Sequence, residues 1–284
     1  MKTLKFLFVA AIVAFLSVSC EKELIEIMGL HDSTSVGENA DSTLTQNPDT
    51  TNNQSPDTTI IADPTIISGT GEISTQVINL SDFTEIELKK IGEVEIIYGS
   101  EYKVEISDYT DLLPFAIVYL EGERLVLSYD DSKQVMGSKL KMSITIPNKL
   151  TKVIVSGAGN INIQSGLSTE NVQLIIPGAG NISAANINSR SVNIEMPGSG
   201  VIEAQGTTGD LTLKVKGSGT IKCQALISAN AFCDISGVTT VFLSATDKLK
   251  VDALSIGSLT YNGNPVLDIN TGVLFSVIKG ENGN

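Results

Sequence analysis

Side chains that commonly perform acid–base or nucleophilic chemistry are scarce in this chain of 284 residues, which has one histidine and three cysteines. The histidine, His31, lies in a stretch dominated by Ser, Thr, Asn and Asp, and the arginines are Arg124 and Arg190. A catalytic histidine needs a partner group and a reacting atom held within hydrogen-bond reach, which a polar tether does not provide. We therefore expect no catalytic residues, no metal site and no cofactor.

Glycine-rich turns are the other pattern that could bind a ligand. The chain reads "VSGAGNINI" at 155–163 and "IPGAGNISA" at 176–184. A phosphate loop would need a Gly-Lys-Ser/Thr ending and a following helix, and the sequence has neither. The turns recur about every 20 residues instead, which is the signature of a solenoid. We predict that these glycines are structural corners: Gly157, Gly159, Gly178, Gly180, Gly198, Gly200, Gly217 and Gly219.

Parts of the same turn occur on both sides of these clear copies. "ISGTGEIST" at 67–75 has both glycines, and "KIGEVEI" at 90–96 keeps the second half. Further on, Gly237 retains the first glycine and Gly257 the second. We expect each of these glycines to form a corner of the same kind.

Apolar residues flank the turns with a spacing of two, which is typical of strands with alternate side chains facing inward. The Gly, Asn and β-branched content disfavours helix. We predict an all-β fold, a parallel β-helix or related β-solenoid, in which Asn160 and Asn181 could align as a hydrogen-bonded ladder. The predicted inward positions are Val153, Val155, Leu174, Ile176, Ile194, Met196, Leu213, Val215, Cys233, Ile235, Val251, Ala253, Ile161, Ile163, Ile182, Ala184, Ile202, Ala204, Ile221, Cys223, Val241, Leu243, Leu259 and Tyr261.

Stacking would also align charged side chains, since Glu195 and Asp234 occupy the same offset with Lys214 between them. Lyases and glycosidases built on β-helices need clustered carboxylates, commonly with calcium, and a base. Two coils would separate these acids by about 9–10 Å, and Lys214 would pair with both. This pattern predicts a solvated face and no enzyme activity.

Two cysteines, Cys223 and Cys233, fall at inward positions on opposite sheets of one predicted coil. Packed sheets lie about 10 Å apart, whereas a disulfide needs Cα atoms within about 7 Å. The spacing favours two buried free thiols over a disulfide.

The first twenty residues, "MKTLKFLFVAAIVAFLSVSC", have a basic start, an apolar stretch too short to span a bilayer, and small residues before Cys20. This arrangement resembles a bacterial lipoprotein signal, which predicts a signal peptide at 1–19 and lipidation of Cys20. "EKE" at 21–23 resembles the signal that sends Bacteroidetes lipoproteins to the outer face of the outer membrane, although a solvated spacer is the alternative.

Residues 20–64 read as a lipidated cysteine followed by a disordered tether rich in Ser, Thr, Asp, Asn and Pro. Its Asp-Ser/Thr-Thr triplets resemble the O-glycosylation sequon of Bacteroidetes exported proteins, with compositional bias as the alternative. The formal net charge of −13 argues against nucleic acid as a partner. The possible O-glycosylation sites are Ser33, Ser42, Thr50 and Thr58.

The patterned part of the chain is predicted to form one solenoid domain over 65–284. Residues 151–262 hold the clear repeats, and 263–284 are a candidate C-terminal cap because solenoid ends need covering. Residues 65–150 alternate less regularly. They are predicted to form wider coils of the same solenoid or a separate β subdomain.

The layout F-x-x-I-x-[VL]…I-P-x-x-L-x-x-[VI]-x-x-S-G-x-G-x-I, followed by "YNGNP" at 261–265, resembles the putative auto-transporter adhesin, head GIN domain family of Bacteroidetes. The resemblance covers about 65–270 and implies an all-β protein of the cell surface or periplasm. It brings no catalytic residues. It is carried by Phe83, Ile86, Leu88, Ile146, Pro147, Leu150, Val153, Ser156, Gly157, Gly159 and Ile161.

These features together predict a non-enzymatic lipoprotein adhesin, held in the outer membrane by its lipid anchor and displaying the solenoid at the cell surface. Its partner would be an unknown surface ligand, either protein or glycan, and a homo-oligomer is possible. The alternatives are a periplasm-facing structural or envelope-maintenance protein and a degenerate carbohydrate-binding β-helix.

Overall fold

A computed structural model describes residues 65–147 and 150–280. The predicted signal peptide and the tether lie outside the described residues. The described chain is built from strands with one 3-10 turn, Leu113–Phe115. The strands are β1 (Thr65–Ser68), β2 (Ile73–Ile78), β3 (Glu85–Leu88), β4 (Ile91–Tyr98), β5 (Lys103–Tyr109), β6 (Ala116–Glu121), β7 (Arg124–Tyr129), β8 (Lys133–Met136), β9 (Lys141–Ile146), β10 (Lys152–Val155), β11 (Ala158–Ile163), β12 (Asn171–Ile175), β13 (Ala179–Met196), β14 (Ser199–Val215), β15 (Ser218–Ile235), β16 (Val238–Ala253), β17 (Ile256–Asn262), β18 (Val266–Thr271) and β19 (Phe275–Lys279).

The strands stack in two columns of parallel pairs. In the first column Leu174 of β12 lies beside Val153 of β10, and beside Ile194 in the second half of β13. In the second column β11 pairs with the first half of β13, and the same register continues through β14, β15 and β16 to β17. The predicted β-solenoid is confirmed, with about 6 stacked coils roughly 20 residues apart.

A third, short run of chain joins the two columns in the coils formed by β13 to β16. It covers residues 187–189 in one coil, and Ile187 lies beside Gly206, which in turn lies beside Leu226. Its inward face is partly polar: Ser228 is fully buried, and its hydroxyl donates to the carbonyl of Ser244 at 2.7 Å. The coil therefore has three sides, whereas the sequence indicated only the two strands that flank each glycine turn.

All the predicted inward positions are buried, and the most exposed of them, Tyr261, is only 8% accessible. Together they form one continuous apolar core that runs along the stack. At about 25 cal/mol per Å² of apolar surface, this burial is the main term that offsets the entropy of ordering the chain. Each coil covers the core of its neighbour, so stability comes from stacking.

The first part of the domain belongs to the same stack but out of sequence order. Strand β3 pairs with β10 on one side and β7 on the other, and β4 lies in the same way between β11 and β9. The coil of residues 85–98 is thus held between coils formed by later residues. Beyond it, β2, β5 and β6 add antiparallel strands that end the stack.

One predicted corner is wrong. The "ISGTGEIST" segment is not a copy of the turn, because β1 pairs with β8 and β2 runs antiparallel to β5. Gly69 lies against the side chains of Tyr109 and Leu112, and open space surrounds Gly71. Two of the four inward positions around these glycines are threonine, so the segment lacks the apolar pairs that hold a coil in register. By contrast, Gly92 does lie beside Gly159.

At the other end, the segment predicted as a cap forms one more coil as far as it is described. Strand β18 pairs in parallel with the second half of β16, and β19 pairs with β17. Residues 281–284 lie outside the described part.

Candidate interaction surfaces

The corner glycines pack backbone against backbone. A Cβ placed on Gly178 would overlap the carbonyl oxygen of Gly157, and one on Gly198 would overlap that of Gly178. Gly200 and Gly219 have φ of 151° in addition, a region that side chains disfavour. The structure thus places the predicted corner residues in a column of close backbone contacts, where no ligand group could enter between the coils.

The asparagines beside this column are also engaged within the protein. The amide of Asn181 donates to Oδ1 of Asn160 at 2.7 Å, and Oδ1 of Asn181 accepts the backbone N–H of Val201 at 3.1 Å. The ladder ends there because the next coils have Val201 and Thr220 at this position. These amides therefore serve the stack.

The charge alternation that stacking predicts is present from Glu195 through Lys214 to Asp234, and the next coil then adds a second acid. Glu195, Lys214, Asp234 and Asp252 lie side by side on successive coils. Nζ of Lys214 lies 3.8 Å from Glu195, and both side chains are about half exposed. The sequence also predicted an ion pair between Lys214 and Asp234, but these two side chains do not form one within the described residues. Exposed ion pairs of this kind contribute little to the stability of the fold.

A partly buried charge cluster that sequence reasoning missed joins β3, β7 and the corner that follows β10. Nε of Arg124 lies 3.0 Å from Glu85 and its Nη1 lies 3.2 Å from Glu87, which is only 6% exposed. The hydroxyl of Ser156 donates to the same Glu87 at 2.6 Å. The sequence does show Arg124, one of its two arginines, at the start of a strand with alternating apolar residues. Its acidic partners could not be predicted, because they come beside it only through the non-sequential stacking of β3 and β7.

A second buried network surrounds Asp108, which is fully buried at the end of β5. Its carboxylate accepts the Tyr129 hydroxyl, the Ser138 hydroxyl at 2.7 Å and the backbone N–H of Lys139 at 2.7 Å. Burial, together with the bond to Asp108, raises the pKa of Tyr129 well above its ordinary value. The alternation Val104, Ile106, Asp108 marks the aspartate as an inward acid, which was the available signal.

An open groove of about 400 Å³ lies beside the glycine corner, between β8 and the turn at Gly157. Nζ of Lys89 donates to the Tyr119 hydroxyl at 3.0 Å, and this bond raises the pKa of Lys89. Lys90 pairs with Asp131 at 2.8 Å, and Lys133 lies over the ring of Phe115. The mixed lining, with aromatic rings close by, makes the groove a candidate contact surface for a ligand with polar and apolar parts.

The two described cysteines are buried free thiols, as predicted. Burial raises the pKa of Cys223 to about 12, and burial raises that of Cys233 as well. Neither is in a state to act as a nucleophile, because the thiolate is the reactive form.

Other predicted sites lie outside the described residues: Cys20, Ser33, Ser42, Thr50 and Thr58. Within the described ranges there is no group of His, Cys, Asp and Glu side chains that could hold a metal ion. Over the same ranges no helix has the length and apolar character needed to cross a membrane.

The stacked coils and glycine corners define a parallel β-solenoid closed by antiparallel strands at its N-terminal end. The chain belongs to the family described as putative auto-transporter adhesin, head GIN domain, whose model matches residues 82–265. The resemblance read from the sequence is thereby confirmed.

Solved structures show the same fold. A putative adhesin from Bacteroides fragilis superposes with a TM-score of 0.71 at 23% identity, covering 75% of this chain and 99% of its own. One from Parabacteroides merdae has a TM-score of 0.61 at 18% identity, covering 76% and 100%. A protein from Parabacteroides distasonis described as a putative lipid binding protein has a TM-score of 0.57 at 20% identity, covering 75% and 96%. No curated protein matches the chain.

Proposed function

We propose that this protein is a non-enzymatic adhesin, a lipoprotein anchored in the outer membrane through Cys20 that displays its solenoid at the cell surface. Family membership over residues 82–265 carries the proposal. Structural neighbours described as putative adhesins support it. The predicted Bacteroidetes-type export features at 21–23 and in the tether agree with the organisms of those neighbours.

The state of the buried titratable groups supports a role without catalysis. Asp108 and Glu87 are saturated by donors from the protein itself, and both described thiols are held protonated. A general base or nucleophile needs a free lone pair directed at a substrate. One exposed flank of the solenoid instead presents charged side chains in register on successive coils, from Glu195 to Asp252, a surface suited to contact with a large ligand.

Surface display is tested first, by labelling intact cells with a membrane-impermeant reagent and by protease shaving. We expect the domain to be labelled and cleaved in the wild type, whereas Cys20→Ser should release it from the membrane fraction. Full protection in intact cells, with cleavage only after lysis, would instead favour the periplasm-facing alternative.

Adhesion is tested with cells in which residues 65–284 are deleted while the anchor and tether remain. We expect reduced binding to immobilised glycans, host cells or neighbouring bacteria, restored by the full-length gene. Unchanged binding to every such surface would refute the adhesin role. Turnover of a polysaccharide by the purified full chain would favour the carbohydrate-active alternative.

A further inference from the structure

Exposed large apolar side chains gather at the C-terminal end of the stack. This tip is formed by β18, β19 and the last corners, and it includes Leu254 and Val273 among its most exposed members. Monomeric proteins rarely expose contiguous apolar patches larger than a few hundred Å². The tip residues are Val238, Leu254, Ile256, Val266, Leu267, Ile269, Val273, Leu274 and Ile278.

Part of the tip is an open core. Leu267 and Ile269 continue the inward positions of Leu249 and Val251, which lie beside them in the preceding coil. Leu249 and Val251 are fully buried, whereas Leu267 is 44% and Ile269 is 41% exposed. In a solenoid the next coil covers such residues, and terminal coils normally present a polar outer face. This end therefore resembles a surface that another molecule covers when the protein functions.

The rest of the tip is a ridge along the glycine corner. The position between the two glycines is Ala158, Ala179, Ser199 and Ser218 in the earlier coils, which lie in register. In the last coils the same line becomes Val238 and Ile256, followed by Leu274 beside Gly257. At the other end of this line Ile91 lies beside Ala158 but is half-buried, whereas the large apolar side chains of the C-terminal corners are exposed.

Charge and backbone also distinguish the tip. The whole chain has a net charge of −13, but β18 and β19 carry one acid, Asp268, and one base, Lys279, whose Nζ donates to Asn264 at 2.6 Å. Two copies can therefore approach at this end without the repulsion that opposes contact elsewhere. Among the described residues no strand pairs with the outer edges of β18 and β19, so their outward N–H and C=O groups can pair with another chain.

We infer that the tip is a self-association surface, on which a second copy of this chain docks by a two-fold contact of C-terminal coil against C-terminal coil. A two-fold axis through the corner sets β18 of one copy antiparallel to β19 of the other. It brings the two ridges together. A contact limited to the end of one coil lies at the small end of specific interfaces, so a weak dimer is expected. The inference goes beyond the proposed function, since self-association is independent of the ligand to which the protein adheres.

The first experiment measures mass against concentration by sedimentation equilibrium, with residues 20–284 carrying Cys20→Ser so that neither a lipid nor the signal peptide holds copies together. We expect a monomer–dimer equilibrium. The pair Ile256→Lys with Leu274→Lys should weaken it at least tenfold, whereas Ile227→Lys, an exposed isoleucine in the middle of the solenoid, should leave it unchanged. Circular dichroism of each variant verifies folding.

The second experiment fixes the geometry by oxidative cross-linking. In the same background, Val273→Cys should give disulfide-linked dimers, because the two-fold contact places this residue against its own copy, and Ile227→Cys should not. A strictly monomeric protein, growth into filaments beyond the dimer, or dimers unaffected by the lysine pair would each overturn the inference. Monomers that bind phospholipid vesicles through the same ridge would assign the tip to a membrane instead.

Discussion

At the scale of single residues, the first glycine of each corner is set by the backbone of the neighbouring coil. Replacing Gly198 with alanine would force a Cβ into the carbonyl oxygen of Gly178, so the two coils must separate locally. We expect a loss of about 3 kcal/mol in the free energy of unfolding, at the upper end of overpacking effects. Denaturant unfolding followed by circular dichroism measures it.

Gly272→Ala is the matched control for that substitution. The nearest atom to a Cβ at Gly272 is 3.7 Å away, and its backbone is not in the left-handed region. We expect a change within about 0.5 kcal/mol, as at other unconstrained surface positions. Equal losses at Gly198 and Gly272 would contradict the role of close backbone contact.

The buried pair of Tyr129 and Asp108 predicts a dependence of stability on alkaline pH. The pKa of Tyr129 is raised in the folded protein above its ordinary value of 10.0, so the folded state retains a proton that the unfolded chain releases. The contribution is present in full below pH 10 and is lost as the pH rises beyond it. Unfolding midpoints measured between pH 8 and pH 11 should fall less steeply above pH 10 for Tyr129→Phe than for the wild type. If the unfolding midpoints of the two proteins fell equally with pH, Tyr129 would ionise as readily in the folded protein as in the unfolded chain, which would contradict the prediction.

At the scale of elements, Arg124 links strands that are distant in the sequence. It holds Glu85 and Glu87 of β3 from its place at the start of β7. Arg124→Met should leave the nearly buried Glu87 without its cation, and we expect a loss of about 2 kcal/mol of stability. Arg190→Met, which changes the exposed arginine, should be close to neutral. A double-mutant cycle with Glu87→Gln measures the coupling, and a coupling near zero would contradict the assignment.

Sequence reasoning recovered the elements that repeat and missed those that do not. Leu174 and Ile182 could be placed in the core because a spacing of two and a period of about 20 residues reflect local geometry. The insertion of β3 between β7 and β10 leaves no such trace, because β7 has the same alternation as any other strand. The Arg124 cluster depends on that insertion and was therefore invisible, whereas the inward Asp108 could have been found from alternation alone.

The wrongly predicted corner at 67–75 is the opposite case, in which the glycine pattern is present but the coil is not. Glycines at the right spacing are not sufficient for a coil, because the apolar residues around them also stabilise its register. Thr65 and Thr75 fill two of the four inward positions here. The segment instead forms β1, which pairs with β8, and β2, which pairs antiparallel with β5. Corner glycines thus identify a coil only in combination with the core pattern around them.

At the scale of the whole molecule, a stack of nearest-neighbour contacts should open from its ends. Strands β14 and β15 are paired on both sides along their length, whereas β18 and β19 have a partner on one side and an incompletely buried core. In such a one-dimensional array, local opening free energy rises toward the middle. Amide hydrogen exchange, measured at a concentration low enough to keep the protein monomeric, should be fastest in β18 and β19 and slowest in β14 and β15. Uniform protection across all coils would mean that the solenoid unfolds only as a single cooperative unit. In that case, raising the protein concentration should leave the rate of amide exchange in β18 and β19 unchanged.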